Sequence, residues 1–161
     1  MLSRRRFFAG ASLVGAAFGL GGASGARAEA VERFEYALSD AQWRKRLSAQ
    51  QYAVLRQHDT ERAGTSPLNT EHRRGVFSCA GCQLDLYRSQ DKFESGTGWP
   101  SFIRPILGAV RTRMDTSFFS VRTEVHCRRC GGHLGHVFDD GPPPTGKRYC
   151  MNGAALNFRP A

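Results

Sequence analysis

Apolar positions in this chain follow two rhythms, a helical one before residue 58 and a two-residue one after residue 75. Residues 29–38 read as an extended lead-in. Ser39-Asp40 then offers a start for a short helix running through Leu47. Ser48 with Gln51 forms an S-x-x-Q capping box that opens AQQYAVLRQ. Tyr52 and Leu55 lie three apart and so share one face of that second helix. Residues 59–74 are polar, contain Gly64 and Pro67, and read as a loop.

From Gly75 the period changes. Leu84 and Leu86 flank Asp85. Phe119, Val121, Thr123 and Val125 alternate with Ser120, Arg122 and Glu124, which predicts a strand with the first set inward and the second outward. Residues 109–114 and 148–152 are further strand candidates. Between them lie SGTGWP, GGHLG and DDGPPPTG, dense in turn-forming residues. Short strands divided by such turns predict a mainly β domain, an antiparallel sandwich or small barrel prefaced by short helices.

The first residues belong to neither rhythm. SRRRFFAG leads into an uncharged Ala/Gly-rich run from Phe7 to Ala26, followed by the small-x-small sequence Ala26-Arg27-Ala28. Arg4 and Arg5 resemble a twin-arginine export signal, so residues 1–28 are expected to be a cleaved leader. Gly10, Gly15, Gly19, Gly21, Gly22 and Gly25 make the run a poor membrane anchor, and none is expected after cleavage. The mature chain is then expected outside the cytoplasm, in a bacterial periplasm. The formal charge of +9 includes four arginines in residues 1–28; without them +5 remains. The remaining basic residues are scattered, which argues against nucleic acid as a partner.

Export bears on the cysteines. There are five: Cys79 and Cys82 in CAGC, Cys127 and Cys130 in CRRC, and Cys150 without a partner. Two C-x-x-C knuckles suit a four-thiolate tetrahedral zinc site, closed and therefore structural. Gly81 and Gly131-Gly132 permit the tight turns such knuckles need. His126 could also serve as a ligand, but four thiolates already fill the tetrahedron. Disulfides are the competing reading in an oxidising compartment, but the C-x-x-C spacing favours metal.

Cys150 is left over. A lone cysteine is ordinarily a small buried hydrophobe. Here Arg148 and Asn152 share its face of a strand, and a nearby cation favours the nucleophilic thiolate. Upstream, GGHLGHVFDD carries His133 and His136, which lack further metal ligands and read as proton donors or hydrogen-bond partners. ESGTGWPSF places Trp99 in a glycine-rich loop, as pocket wall or plain core. His58 and His72 read as surface residues.

Taken together, GTGWPSF, the two C-x-x-C pairs, GGHLGHVFDDGPPPTGKRYC and NGAALNF resemble the methionine-R-sulfoxide reductase family, over residues 36–160. The resemblance implies paired antiparallel sheets and one structural zinc on Cys79, Cys82, Cys127 and Cys130, remote from the catalytic centre. It implies that Cys150 is the nucleophile, with His133 and His136 binding and protonating the sulfoxide oxygen. Trp99 would pack on the methyl group, and Arg148, Asp140 and Asn152 would orient the network. Proteins carrying methionine-R-sulfoxide would be the substrates. A thioredoxin-like protein or another thiol would be the reductant.

Two positions depart from that family. Many members carry a second, resolving cysteine where this chain has Thr97, so an external thiol is expected to reduce the sulfenic acid directly. Many also carry serine where this chain has Gly153, and a loosening of one hydrogen bond near Cys150 is expected. A zinc-ribbon binding module explains the four cysteines but leaves Cys150, Trp99 and the histidines idle. A thiol–disulfide oxidoreductase using one C-x-x-C as its redox pair predicts no bound metal.

Overall fold

A computed structural model of the protein describes residues 32–117 and 120–161. The expected leader, residues 1–28, and Phe119 of the alternating strand lie outside the described residues. Among these, no helix is long and apolar enough to cross a membrane.

Two short helices open the domain, α1 (Asp40–Arg46) and α2 (Ala49–Gln57). Both begin on full capping boxes: Ser39 with Gln42, and Ser48 with Gln51, each exchanging side-chain and backbone bonds. Trp43 of α1 and Tyr52, Val54 and Leu55 of α2 are buried. The polar segment from 59 to 74 is mostly loop, with one 3-10 turn at Pro67–Thr70.

Among the described residues nine strands follow: β1 (Gly75–Cys79), β2 (Asp85–Arg88), β3 (Lys92–Phe93), β4 (Ser101–Phe102), β5 (Val110–Asp115), β6 (Arg122–Cys127), β7 (His133–Phe138), β8 (Arg148–Met151) and β9 (Leu156–Pro160). They form two antiparallel sheets, one of three strands ordered β2-β1-β9 and one of six ordered β3-β4-β8-β7-β6-β5. Phe77 meets Phe102 edge-on at 5.0 Å, and Tyr87 stacks on Phe102 at 4.3 Å, so aromatic rings join the sheets. Leu86, Val125, Leu134, Met151 and Leu156 complete the core around them. The Tyr87 hydroxyl donates to Met151 Sδ at 3.1 Å.

The alternation expected for residues 119–125 is corrected in its first half. Val121 is exposed and Thr123 points to solvent, whereas Glu124 is buried and Arg122 half-buried. Among the described residues of the inward set, only Val125 reaches the core. The polar face of β6 is covered because it carries charges that other elements neutralise, and its apolar face runs past the edge of the core before Val125.

Candidate active site

Strand register assembles the site. Residues directly opposite one another in an antiparallel pair project from the same face with their Cβ atoms about 4.5–5.5 Å apart. Cys150 on β8 lies opposite Ser101 on β4 and opposite His136 on β7. His136 lies opposite Glu124 on β6, and Glu124 opposite Arg113 on β5. Ser101, Cys150, His136, Glu124 and Arg113 therefore form one row across five strands of the larger sheet.

A close backbone contact fixes the row at its centre. Gly135 on β7 lies so near the Cys150 carbonyl that a Cβ there would collide with it. Any side chain at 135 would push β8 away and carry Cys150 with it.

A cavity of about 140 Å³ opens over Cys150, lined by Thr60, Trp99, Arg122, Gly135, His136, Phe138, Cys150 and Asn152. Cys150 is half-buried, whereas the other four thiols are fully buried. Trp99 is anchored by its indole N–H, which donates to the Glu61 carbonyl at 3.1 Å. Asn152 accepts from Glu61 N at 3.0 Å and donates to Leu134 O at 3.2 Å. The Glu61 carboxylate in turn accepts from Gly153 N at 2.5 Å and Ala154 N at 2.8 Å. One buried glutamate thus ties the indole, the amide and the turn after the thiol together.

His136 Nε2 is 2.7 Å from Asp115 Oδ2. Burial lowers the imidazole's pKa, and Asp115 partly offsets this. Asp115 itself lies well below the usual carboxylate range, held first by the Ser117 side chain and amide, and also by His136 and Arg122. His133 stands behind His136 rather than in the cavity wall, with ring centroids 5.4 Å apart. Its Nδ1 is 2.8 Å from Glu124 Oε1.

Arg148 pairs with Asp140 through two bonds of 2.8 Å and lies over the Phe138 ring at 4.4 Å. That bond to Asp140 is the main reason its pKa is raised, and Cys150 adds to the effect. Asp140 is exposed and outside the cavity; it reaches the site only through Arg148.

Thr97 occupies the flank of the thiol. Its hydroxyl is 3.7 Å from Cys150 Sγ and 2.8 Å from Ser95 Oγ, which is 2.7 Å from Ser101 Oγ. Ser101 donates to the Trp99 carbonyl at 3.1 Å. Gly153 is explained by a neighbour: a Cβ there would collide with the Ser66 hydroxyl. The space a serine side chain would take is already filled by oxygen from another loop.

Sequence reasoning placed Cys150, Trp99, His136 and Asn152 around one cavity. It missed Thr60, Glu61, Asp115, Arg122 and Glu124. Arg122 and Glu124 carried a usable signal, the polar half of an alternating strand, but it was assigned to solvent. Glu61 gave none, because its partners lie 38 to 93 residues away.

The other four cysteines form a separate buried cluster. Cys79 and Cys130 sulfurs are 3.7 Å apart, Cys82 and Cys127 sulfurs 3.5 Å, and all four lie within 4.8 Å of one another. A disulfide needs about 2.05 Å, so these are free thiols in this structure. Tetrahedral zinc with bonds of about 2.3 Å requires sulfur edges of about 3.8 Å, and the cluster fits such an ion without a vacant position. Arg46 donates to the Gly81 carbonyl, Arg129 to Cys82 and Arg56 to Cys130, so three guanidinium groups brace the knuckle backbones. Cys127 stands five residues from Arg122 along β6, roughly 17 Å from the cavity wall.

Residues 47–160 match the model of the SelR domain family. The chain is 50% identical over 123 residues to a peptide methionine sulfoxide reductase MsrB of Agrobacterium fabrum, covering 76% of this chain and 91% of that protein. It is 54% identical over 123 residues to the protein of that name in Thiobacillus denitrificans, with 76% and 93% covered. It is also 54% identical over 122 residues to one in Methanosarcina barkeri, with 75% and 86% covered.

Proposed function

The chain belongs to the SelR-domain family of peptide methionine sulfoxide reductases, which are oxidoreductases, and on that footing we propose that it reduces the R epimer of methionine sulfoxide in proteins by way of Cys150. The observation that carries this reading is the half-exposed Cys150 thiol in a small cavity between Trp99 and His136.

The Cys150 thiolate attacks the sulfoxide sulfur while the leaving oxygen takes a proton, for which His136 and His133 are the donors. The sulfur–oxygen bond breaks, oxygen passes to Cys150, and methionine leaves as the thioether. Trp99 packs on the methyl group, so that one epimer alone presents its oxygen to the histidines. Arg148, held by Asp140, supplies positive charge beside the thiolate, and Asn152 holds the floor of the cavity.

Regeneration uses an external thiol, such as a thioredoxin-like protein. The first thiol attacks the sulfenic sulfur, expels water and leaves a mixed disulfide; a second thiol releases Cys150. Thr97 supports this route, because the hydroxyl beside Cys150 cannot form a disulfide and the other four sulfurs are enclosed together. The four-cysteine cluster holds one structural zinc, whose contribution is to fasten the knuckles. The mature domain works after twin-arginine export. Nothing in the cavity suits a zinc-ribbon binding module.

The test is stereochemical. Zinc-loaded protein with dithiothreitol should consume only the R form of a methionyl sulfoxide peptide, and Cys150→Ser should consume neither. Turnover of the S form, or activity in Cys150→Ser, overturns the assignment.

A further inference from the structure

His58 reads as a surface residue in the sequence, and Glu124 as one facing solvent. In the structure they meet. Glu124 is 3% exposed, and three side chains surround its carboxylate. Arg113 Nε donates to Oε2. His58 Nδ1 lies 3.1 Å and His133 Nδ1 2.8 Å from the same oxygen, Oε1. Burial alone would raise the pKa of this carboxyl, but the bonds from His133, His58 and Arg113 overcome that and hold it well below the usual range. The carboxylate is therefore ionised and can only accept, so both imidazoles donate from Nδ1.

That fixes the histidine tautomers. His58 has its Nε2 free to accept from Arg113 Nη2 at 3.4 Å, which completes its bonding. His133 has its Nε2 bare, buried and without a partner, on the ring that faces His136. A divalent cation among His58, Glu124 and His133 would need both Nδ1 protons removed. The freed His58 Nε2–H would then confront the Arg113 guanidinium, so the cluster is complete as a hydrogen-bonded cage.

We infer that Glu124 is a positioning residue of the reductase, holding His133 behind His136 with its Nδ1–H on the carboxylate, so that the unpartnered Nε2 can take up the proton passed on in the reaction, and that His58 and Arg113 hold Glu124 for this task. The inference deepens the proposed function and rests on it for the identity of the reacting oxygen. A carboxylate beneath an imidazole orients the ring and stabilises it when it carries a proton. The Nε2 then has no competing protein bond to break before it takes up a proton.

The test compares wild type, Glu124→Gln and Glu124→Asp, all zinc-loaded. Nitrogen NMR of labelled imidazoles should find His133 protonated at Nδ1 in the wild type. Glutamine has one acceptor oxygen where glutamate has two, so it cannot serve Arg113 and both rings, and the His133 pattern should change. In Glu124→Gln, kcat should fall at least about ten-fold, toward the 10²- to 10⁴-fold that positioned acid–base groups contribute, with KM little altered. The Glu124→Asp variant, which keeps both acceptor oxygens, should recover part of the rate. A Glu124→Gln protein that keeps kcat within two-fold, or a neutral wild-type His133 protonated at Nε2 alone, overturns the inference. If the wild type consumes neither sulfoxide epimer, the proposed function fails, and the tautomer alone decides the role of Glu124.

Discussion

Thr97 is the residue at which this chain parts most visibly from self-resolving relatives, and the geometry says what restoring the lost group would do. The Thr97 hydroxyl is 3.7 Å from Cys150 Sγ, close enough that a longer carbon–sulfur bond and a small rotation would bring two sulfurs into bonding range. Thr97→Cys should therefore trap an intrachain disulfide to Cys150 after one turnover without reductant, seen by mass spectrometry as loss of water from the sulfenic acid. A persistent sulfenic acid in that variant would show that the loop cannot close. The thiol, the indole and the histidines were legible because each is chemically distinctive at its place in a short motif. Glu61 and Asp115 were not, since an acidic residue in a polar stretch looks the same whether it binds distant amides or water. Gly153 has a packing reason that the sequence did not show. Read alone it removes a hydroxyl, yet Ser66 puts one back into the same space.

At the level of elements, the second helix's capping box was the most secure part of the reading because it is local: Ser48 and Gln51 lie three residues apart and satisfy each other. α2 also matters to the site, since its C-cap is His58, in the left-handed conformation that turns the chain toward Glu124. Ser48→Ala should cost about 1 kcal/mol of stability, measured by urea unfolding. An unchanged midpoint would mean that packing of Tyr52, Val54 and Leu55 alone sets the helix. Strand β6 gave its existence but not its orientation. Period-two alternation identifies two faces, and only tertiary contacts decide which is buried. Here the charged face is the covered one because Arg113, His58 and His133 converge on Glu124.

For the whole molecule, those covered charges predict the response to acid. Asp115 and Glu124 both lie below their ordinary values of 3.8 and 4.5. The unfolded chain therefore binds protons more readily than the folded one, and their stabilisation, present above those values, is lost as pH falls. The unfolding midpoint should drop between about pH 5 and pH 3, and Glu124→Gln should flatten that dependence. A midpoint insensitive to acid would mean that neither carboxylate is depressed. An antiparallel β architecture was legible from strand spacing and turns, and its two sheets from the family resemblance. The row joining five strands was not, because register is set by pairing across the sheet. Metal removal acts on the same scale. Chelation should release the knuckles and lower the melting temperature, whereas loss of the Cys150 thiol should leave it nearly unchanged. The unequal burial of the five sulfurs has a further consequence. With four locked in the cage and one half-open, a folded, metal-loaded chain should take up a single equivalent of iodoacetamide, and a peroxide pulse should mark that same sulfur. The cage thereby gives the protein its selectivity among thiols: it removes the four competing ones from reach, so that modification and duty fall on one cysteine.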